Sequence, residues 1–407
     1  MEPWLYLDTA RLGLMSPAAQ RAHEDFARLA GEAGAAIQIE DLVKHGFEAL
    51  DPRLRRRAAG LSIWNGIESF KRLLQRLVPR AAADEELRLL FAARSAELMK
   101  LAAMLLCRRC RHILVTDLGW PPYHDLLARE CRRTNRRLTT VAVAEDVLQG
   151  RLTAEELASR VEHAYRQHGC DGLFLVAVSN TGGRQPIEAI AQAVRPRCRM
   201  LVVDGAQEFC HVQRGSTLRV CDLYLTSCHK WLGGYHPMAV ACYGRRRSRR
   251  LIETVLERSL RSRSVDDPLL RFIRSVEQGS CGSSGETVNL SPLFSSAGAV
   301  EDQLRADTDR LAARIRLDNA DQVVTRAAAT CWQPQEPDAS LRTGIVLLKH
   351  APTRGAVRSG ETYRRAFQRR GVALSAYDNG LLRLSMPAQP LSGTQLSLLE
   401  GALQSVV

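Results

Sequence analysis

One lysine and one aspartate in this chain stand where they could share a reactive pocket. Within residues 199–243, the apolar run 200–203 leads into Asp204, and the run 223–225 leads into Thr226 and Ser227. Lys230 follows, before the run 238–243 turns back. Short runs of β-branched and aliphatic residues predict buried strands, with the polar groups that close them at strand ends. In open α/β sheets ligands bind at that edge, so Asp204 and Lys230 are expected to face one pocket. A lysine can form a Schiff base with an aldehyde if its surroundings let the amine lose its proton. An aspartate there can keep a pyridine nitrogen protonated, which makes the ring an electron sink. The pair fits pyridoxal 5′-phosphate (PLP), and on spacing alone it fits a structural ion pair equally well.

The wider pattern separates these readings. Asp204-Gly205-Ala206-Gln207, His211, Cys221-Asp222 and Ser227-Cys228-His229-Lys230-Trp231-Leu232 resemble, in order and spacing, the class V aminotransferase family of fold-type I PLP enzymes. That family includes cysteine desulfurases, isopenicillin N epimerase-like proteins and kynureninases. The resemblance implies that Lys230 carries the Schiff base and Asp204 pairs with the pyridine nitrogen. It further implies Gln207 at the ring hydroxyl, and Ser227 and His229 at the phosphate.

Length and composition set the frame. A chain of 407 residues exceeds one ordinary core, and two subdomains are expected. The apolar fraction of 45% and the charged fraction of 25% are those of a globular protein. No stretch approaches the roughly 18 apolar residues of a membrane span. The opening MEPWLYLDTARLG lacks the basic and apolar regions of a signal peptide, so a cytoplasmic enzyme is expected. The net charge of +13 is almost wholly arginine, densest in Arg245-Arg246-Arg247-Ser248-Arg249-Arg250. Phosphate-backbone binding would need such charge, but a solvated basic face is the simpler expectation and nucleic acid is not the expected partner. Eleven cysteines are scattered with a single CxxC, Cys107 to Cys110, and no second pair at zinc spacing. Buried thiols and no metal site are expected.

Along the chain, residues 1–15 form an extended arm, and Ser16-Pro17 cap a helix with proline at its first position. A mostly helical segment to about residue 82 precedes Ser95-Ala96-Glu97, where Ser95 reads as the N-cap of an apolar helix. Such a helix start is a natural phosphate cradle, and the family resemblance places Ser95 and Ala96 there. Runs at 112–116, 137–143 and 172–178 read as strands. Trp120 follows the first and could stack on a pyridine ring, with Tyr123 the second choice. Asn180 follows the third, at the position that meets the ring hydroxyl or the substrate in relatives. Thr153 opens a helix with a capping-box pattern. Strands alternating with helices predict a mainly parallel, seven-stranded-type sheet in a large domain, 16–280. A smaller α+β domain, 281–407, is expected after the polar segment 280–289. By resemblance, Thr287 in that segment reaches the cofactor phosphate of a partner subunit, implying a homodimer. Arg383 stands where the family grips the substrate α-carboxylate, and a guanidinium suits a carboxylate by donating two parallel hydrogen bonds. His236, where relatives are glycine-rich, is a further candidate acid or base.

Family resemblance settles the cofactor better than the product. Desulfurases carry a sulfur-accepting cysteine shortly before the carboxylate arginine, and here the last cysteine is Cys331. An aminotransferase acting on an amino acid or a related metabolite is the expectation. A C–S (β-elimination) lyase and an amino-acid epimerase are alternatives within the family. A basic nucleic-acid-binding protein on the same fold is the alternative from another class.

Overall fold

The computed structural model describes the chain except residues 1–3, 35, 82–85, 236, 280–286, 307–308, 352–357 and 407, and the side chains of 36–39 and 309. His236 and most of the polar segment 280–289 therefore lie outside the described residues. The first strand, β1 (Leu5–Tyr6), belongs to the arm. Next come β2 (Arg88–Ala92), β3 (His112–Thr116), β4 (Arg137–Val141), β5 (Gly172–Val176), β6 (Met200–Asp204), β7 (Leu223–Ser227) and β8 (Ala239–Tyr243). These seven form one sheet in the order β2-β8-β7-β6-β5-β3-β4. From β7 to β4 every pairing is parallel, and only β8 runs against its neighbours. Both faces are covered, as a parallel sheet requires. Along β6, Leu201 and Val203 enter one apolar core while Met200 and Val202 enter the other, the alternation that a pleated strand imposes. The edge strand β4 is partly exposed and carries Thr139 and Thr140.

The helices begin where their polar residues can cap them. Ser16 accepts from the Ala19 amide at 3.3 Å at the start of Pro17–Ala33, with proline in the first turn. Thr153 and Glu156 complete a reciprocal capping box on Ala154–Gln167. Ser95 departs from expectation: it is the first residue of the helix Ser95–Arg109, and Arg94, which makes no side-chain cap, holds the cap position. Asp267 fixes the chain just before this helix from across the fold, accepting from the Ala93 and Arg94 amides at 2.9 and 3.1 Å. The arginine run also differs from a plain solvated face. Arg247 forms a two-pronged pair with buried Asp222, Arg249 reaches Glu86, and Arg245 donates to the Val220 carbonyl.

The C-terminal part carries β9 (Trp332–Gln335), β10 (Ile345–His350), β11 (Val372–Ala373), β12 (Ser375–Ala376) and β13 (Leu381–Ser385). Four of these form an antiparallel sheet, β12-β13-β10-β9, and β11 pairs in parallel with β1. Leu5 and Leu7 thereby enter the C-terminal core beside Trp332 and Phe367. The helix Ser291–Ala306, past the expected boundary at 280, instead buries Leu293, Phe294 and Val300 in a core of the large sheet. The arm then crosses to the large sheet, where the Gly13 amide donates to the His229 carbonyl at 2.8 Å. A Cβ at Gly13 would lie 1.9 Å from the Lys230 carbonyl oxygen, so this crossing needs glycine.

Candidate active site

A cavity of about 340 Å³ opens at the carboxyl ends of β5, β6 and β7. Of the residues singled out from the sequence, Asp204, Gln207, Ser227, His229, Lys230, Ser95, Trp120, Asn180 and Arg383 all line it. Ala96 sits one residue behind Ser95 in the helix, and Thr287 is exposed and away from the cavity. A second cavity, about 390 Å³, lies beside Glu208 and Arg316 and holds none of the expected residues.

Burial sets the protonation of the floor. Asp204, ending β6, is 7% exposed, and its carboxylate accepts from the Ala206 amide at 2.9 Å. Burial raises its pKa, partly opposed by that hydrogen bond and by Lys230. Burial lowers the pKa of Lys230; Asp204 opposes this and the Arg383 charge adds to it. The amine is thus moved toward its neutral, nucleophilic form, and a buried carboxylate nearby favours a cationic partner. Among the described residues the two make no direct ion pair, yet each acts electrostatically on the other. Ser227 Oγ and His229 Nδ1 are buried without hydrogen-bond partners. Burial and Lys230 bring His229 down to about 4, so its ring is neutral near pH 7. Unpaired buried polar atoms are costly, and here they border a cavity that a ligand can fill.

The walls follow from the neighbouring elements. The helix Ser95–Arg109 points its first turn at the cavity, and Ser95 meets the phenol of buried Tyr123. Trp120 is 46% exposed and lies edge-on to Tyr123, ring centres 5.0 Å apart. Its face is free to cover a flat ring. Arg383, on β13, is 5% exposed. Its Nη2 donates to Ser375 Oγ at 2.9 Å and lies 3.4 Å from Asp8 Oδ1, and its Nη1 donates to the Asn180 carbonyl at 3.3 Å. Arg383 Nε has no partner.

Gln207 is already engaged at both ends of its amide. Its Nε2 donates to the Ala10 carbonyl and its Oε1 accepts from Trp231 Nε1, both at 2.7 Å. Trp231 stacks on His211 at 3.7 Å with ring planes 1° apart, and Arg316 lies over the indole at 5.3 Å. The residue after Lys230 is therefore clamped, and Gln207 ties it to the arm. Ser375 and Tyr377 also build the site and escaped the sequence reading; Asp8 and Arg11 build it too, in the arm whose stretch 6–13 resembles the family segment that crosses toward the substrate pocket, though neither was singled out by itself. The local signal at Asp8 and Arg11 was charge within the arm, and Ser375 and Tyr377 carried none.

The aminotransferase class-V family model matches residues 66–237, the segment that supplies the sheet, Asp204 and Lys230. This segment is an aminotransferase class-V domain. No curated protein sequence matches the chain. Solved structures of the same fold are similar over nearly its whole length. A cysteine desulfurase from Thermococcus onnurineus has a TM-score of 0.67 at 15% identity, covering 99% of this chain and 94% of its own. An alanine–glyoxylate aminotransferase from Nostoc has 0.65 at 15%, with 100% and 96% covered. A ureidoglycine–glyoxylate aminotransferase from Bacillus subtilis has 0.64 at 12%, with 100% and 93% covered. The class-V domain makes the chain an aminotransferase-like enzyme dependent on PLP. Its cavity fits that group: a lysine with a depressed pKa, a buried carboxylate, an exposed indole, and unpaired Ser227 and His229 beside a helix start. Among the described residues no cluster could hold a metal ion, and no helix is long and apolar enough to cross a membrane.

Proposed function

We propose that the chain is an aminotransferase acting on a small amino acid through a Lys230 Schiff base to PLP. The observation that carries this is Lys230, its amine shifted toward the neutral form, in one cavity with Asp204 and Arg383. PLP supplies the aldehyde that lysine captures and a protonated ring that withdraws electrons from the substrate. When bound, that ring would be kept protonated by Asp204, Trp120 would offer it an aromatic wall, and Ser95, Ser227 and His229 would hold the phosphate. Gln207 acts as the brace of Trp231 and the arm. Arg383 and Asn180 orient the substrate α-carboxylate, and Lys230 moves the proton at Cα. His236 has no assigned part. Among the described residues no cysteine lines the cavity, which supports transamination over a desulfurase route through an enzyme thiol. Thr287, exposed and away from its own cavity, is in keeping with donation to a partner's site in a homodimer. We place the enzyme in the cytoplasm.

The test is a visible spectrum of the protein with PLP, then a panel of amino acids under single-turnover conditions. A Schiff-base band lost in Lys230→Ala, followed by release of a 2-oxo acid with the cofactor left as its amine, supports transamination. Pyruvate with sulfide and a returning band would make it a lyase, and a racemised substrate an epimerase. A missing band would sink the proposal.

A further inference from the structure

We propose that Arg11 forms a second anion subsite in the cavity, so that the substrate is an amino acid or 2-oxo acid bearing another acidic group besides its α-carboxylate. This rests on reading Arg383 as the α-carboxylate anchor.

The substrate side of the cavity is made by the arm, Trp120, Asn180, Tyr377 and Arg383. It presents two guanidinium groups, Arg11 and Arg383. The one carboxylate among the lining residues is Asp204, on the floor near Lys230. Asp8 stands behind Arg383 and is not part of the lining, so it holds that side chain without repelling a ligand from the open side. Arg11 is exposed and makes no ion pair among the described residues. In a chain with many arginines, an exposed one is ordinary, and its backbone is what distinguishes Arg11. The preceding residue is pinned twice: the Ala10 amide donates to Ser385 Oγ at 3.0 Å, and its carbonyl accepts from Gln207 at 2.7 Å. The Arg11 amide donates to the Asp8 carbonyl at 2.9 Å, and the Gly13 amide to the His229 carbonyl at 2.8 Å. The arm is thus fixed on both sides of Arg11, and a charged side chain is left over the cavity from a preorganised backbone. A guanidinium held this way suits a carboxylate or similar anion. At about 340 Å³ the cavity is at the small end for ligand sites, and it must also hold the cofactor. Short acidic substrates fit it best, and the net charge of +13 would steer anions toward it.

The experiment has two arms. With PLP-loaded enzyme, kcat/KM is measured for aspartate against asparagine and for glutamate against glutamine, in wild type, Arg11→Gln and Arg11→Lys. The expected acid-to-amide preference in wild type is about tenfold or more; it collapses in Arg11→Gln through KM and returns in Arg11→Lys. The second arm titrates the PLP-free chain calorimetrically with glutarate and with butyrate. Glutarate should bind at least about tenfold tighter, by an amount that salt and Arg11→Gln both remove. Equal use of acid and amide by wild type would overturn the subsite, as would equal losses on both in Arg11→Gln, or glutarate binding indifferent to Arg11. If no Schiff base forms with PLP, the proposed function fails, and the glutarate titration then decides the subsite alone.

Discussion

The floor and the rim of the cavity are built in different ways. The floor comes from the ends of parallel strands within one stretch of chain, from Asp204 to Lys230, and keeps polar atoms unpaired. The rim joins the two ends of the chain: Asp8, Ser375 and Arg383 meet across more than three hundred residues, and their polar atoms are mostly paired. A floor with open valences is organised for a ligand, and a rim that satisfies itself is organised to hold its own shape. Chemistry should therefore fail when the floor is changed, and stability or affinity should fail when the rim is changed.

The largest effect expected is on the floor. Lys230→Ala should lower turnover by about a thousandfold or more while leaving the fold intact, as followed by single-turnover kinetics and circular dichroism; an equal loss of structure would erase the contrast. On the rim, Arg383→Ala removes a charge-assisted contact to substrate, worth about 1.5–3 kcal/mol, or roughly tenfold to a hundredfold in KM. It also leaves Asp8 buried without its cation, and Asp8→Asn in the same chain should recover part of the lost stability in urea denaturation. No recovery would mean that the two groups do not act as a pair. Gln207→Ala strands the Trp231 N–H and the Ala10 carbonyl and should cost about 1–3 kcal/mol per buried group even without PLP. Loss of PLP affinity with unchanged stability of the PLP-free chain would move Gln207 from brace to ring contact.

The smallest effect is a shift in pH. The lowered Lys230 pKa means that the rate of PLP capture should rise with pH through a midpoint below the usual lysine value of 10.5. Asp204 is the group that raises it, so Asp204→Asn should move that midpoint lower still. A stopped-flow pH series would show this, and a midpoint that moves upward would reverse the assignment of charges on the floor.

The floor was legible in the sequence because its parts are local. Asp204, Ser227 and Lys230 each follow a short apolar run, and strand ends in a parallel sheet lie at one edge. Ser16-Pro17 and the Thr153 box likewise carry their own start signals. The rim was legible only in part, through Arg383. Nothing near Leu5 indicates that it pairs with Val372, or that Asp8 stands behind Arg383, because register between distant segments is set by tertiary packing. Gln207 lines the cavity, but its amide is taken up by Ala10 and Trp231, partners that only the fold brings near. Ser95 stands one position further into its helix than expected, and the two residues before it are held by Asp267, also distant in sequence. Local chemistry can be read in order along a chain, and closure between its ends cannot.

The pairing of Leu5 with Val372 has a bearing on synthesis. The arm leaves the ribosome more than three hundred residues before its partners in β11 to β13 are made. A nascent chain can lay down β2 to β8 and hold Asp204 and Lys230 at their strand ends while the arm still hangs loose. Asp8 and Arg383 cannot meet until β13 has been translated, so the cavity acquires its rim well after its floor.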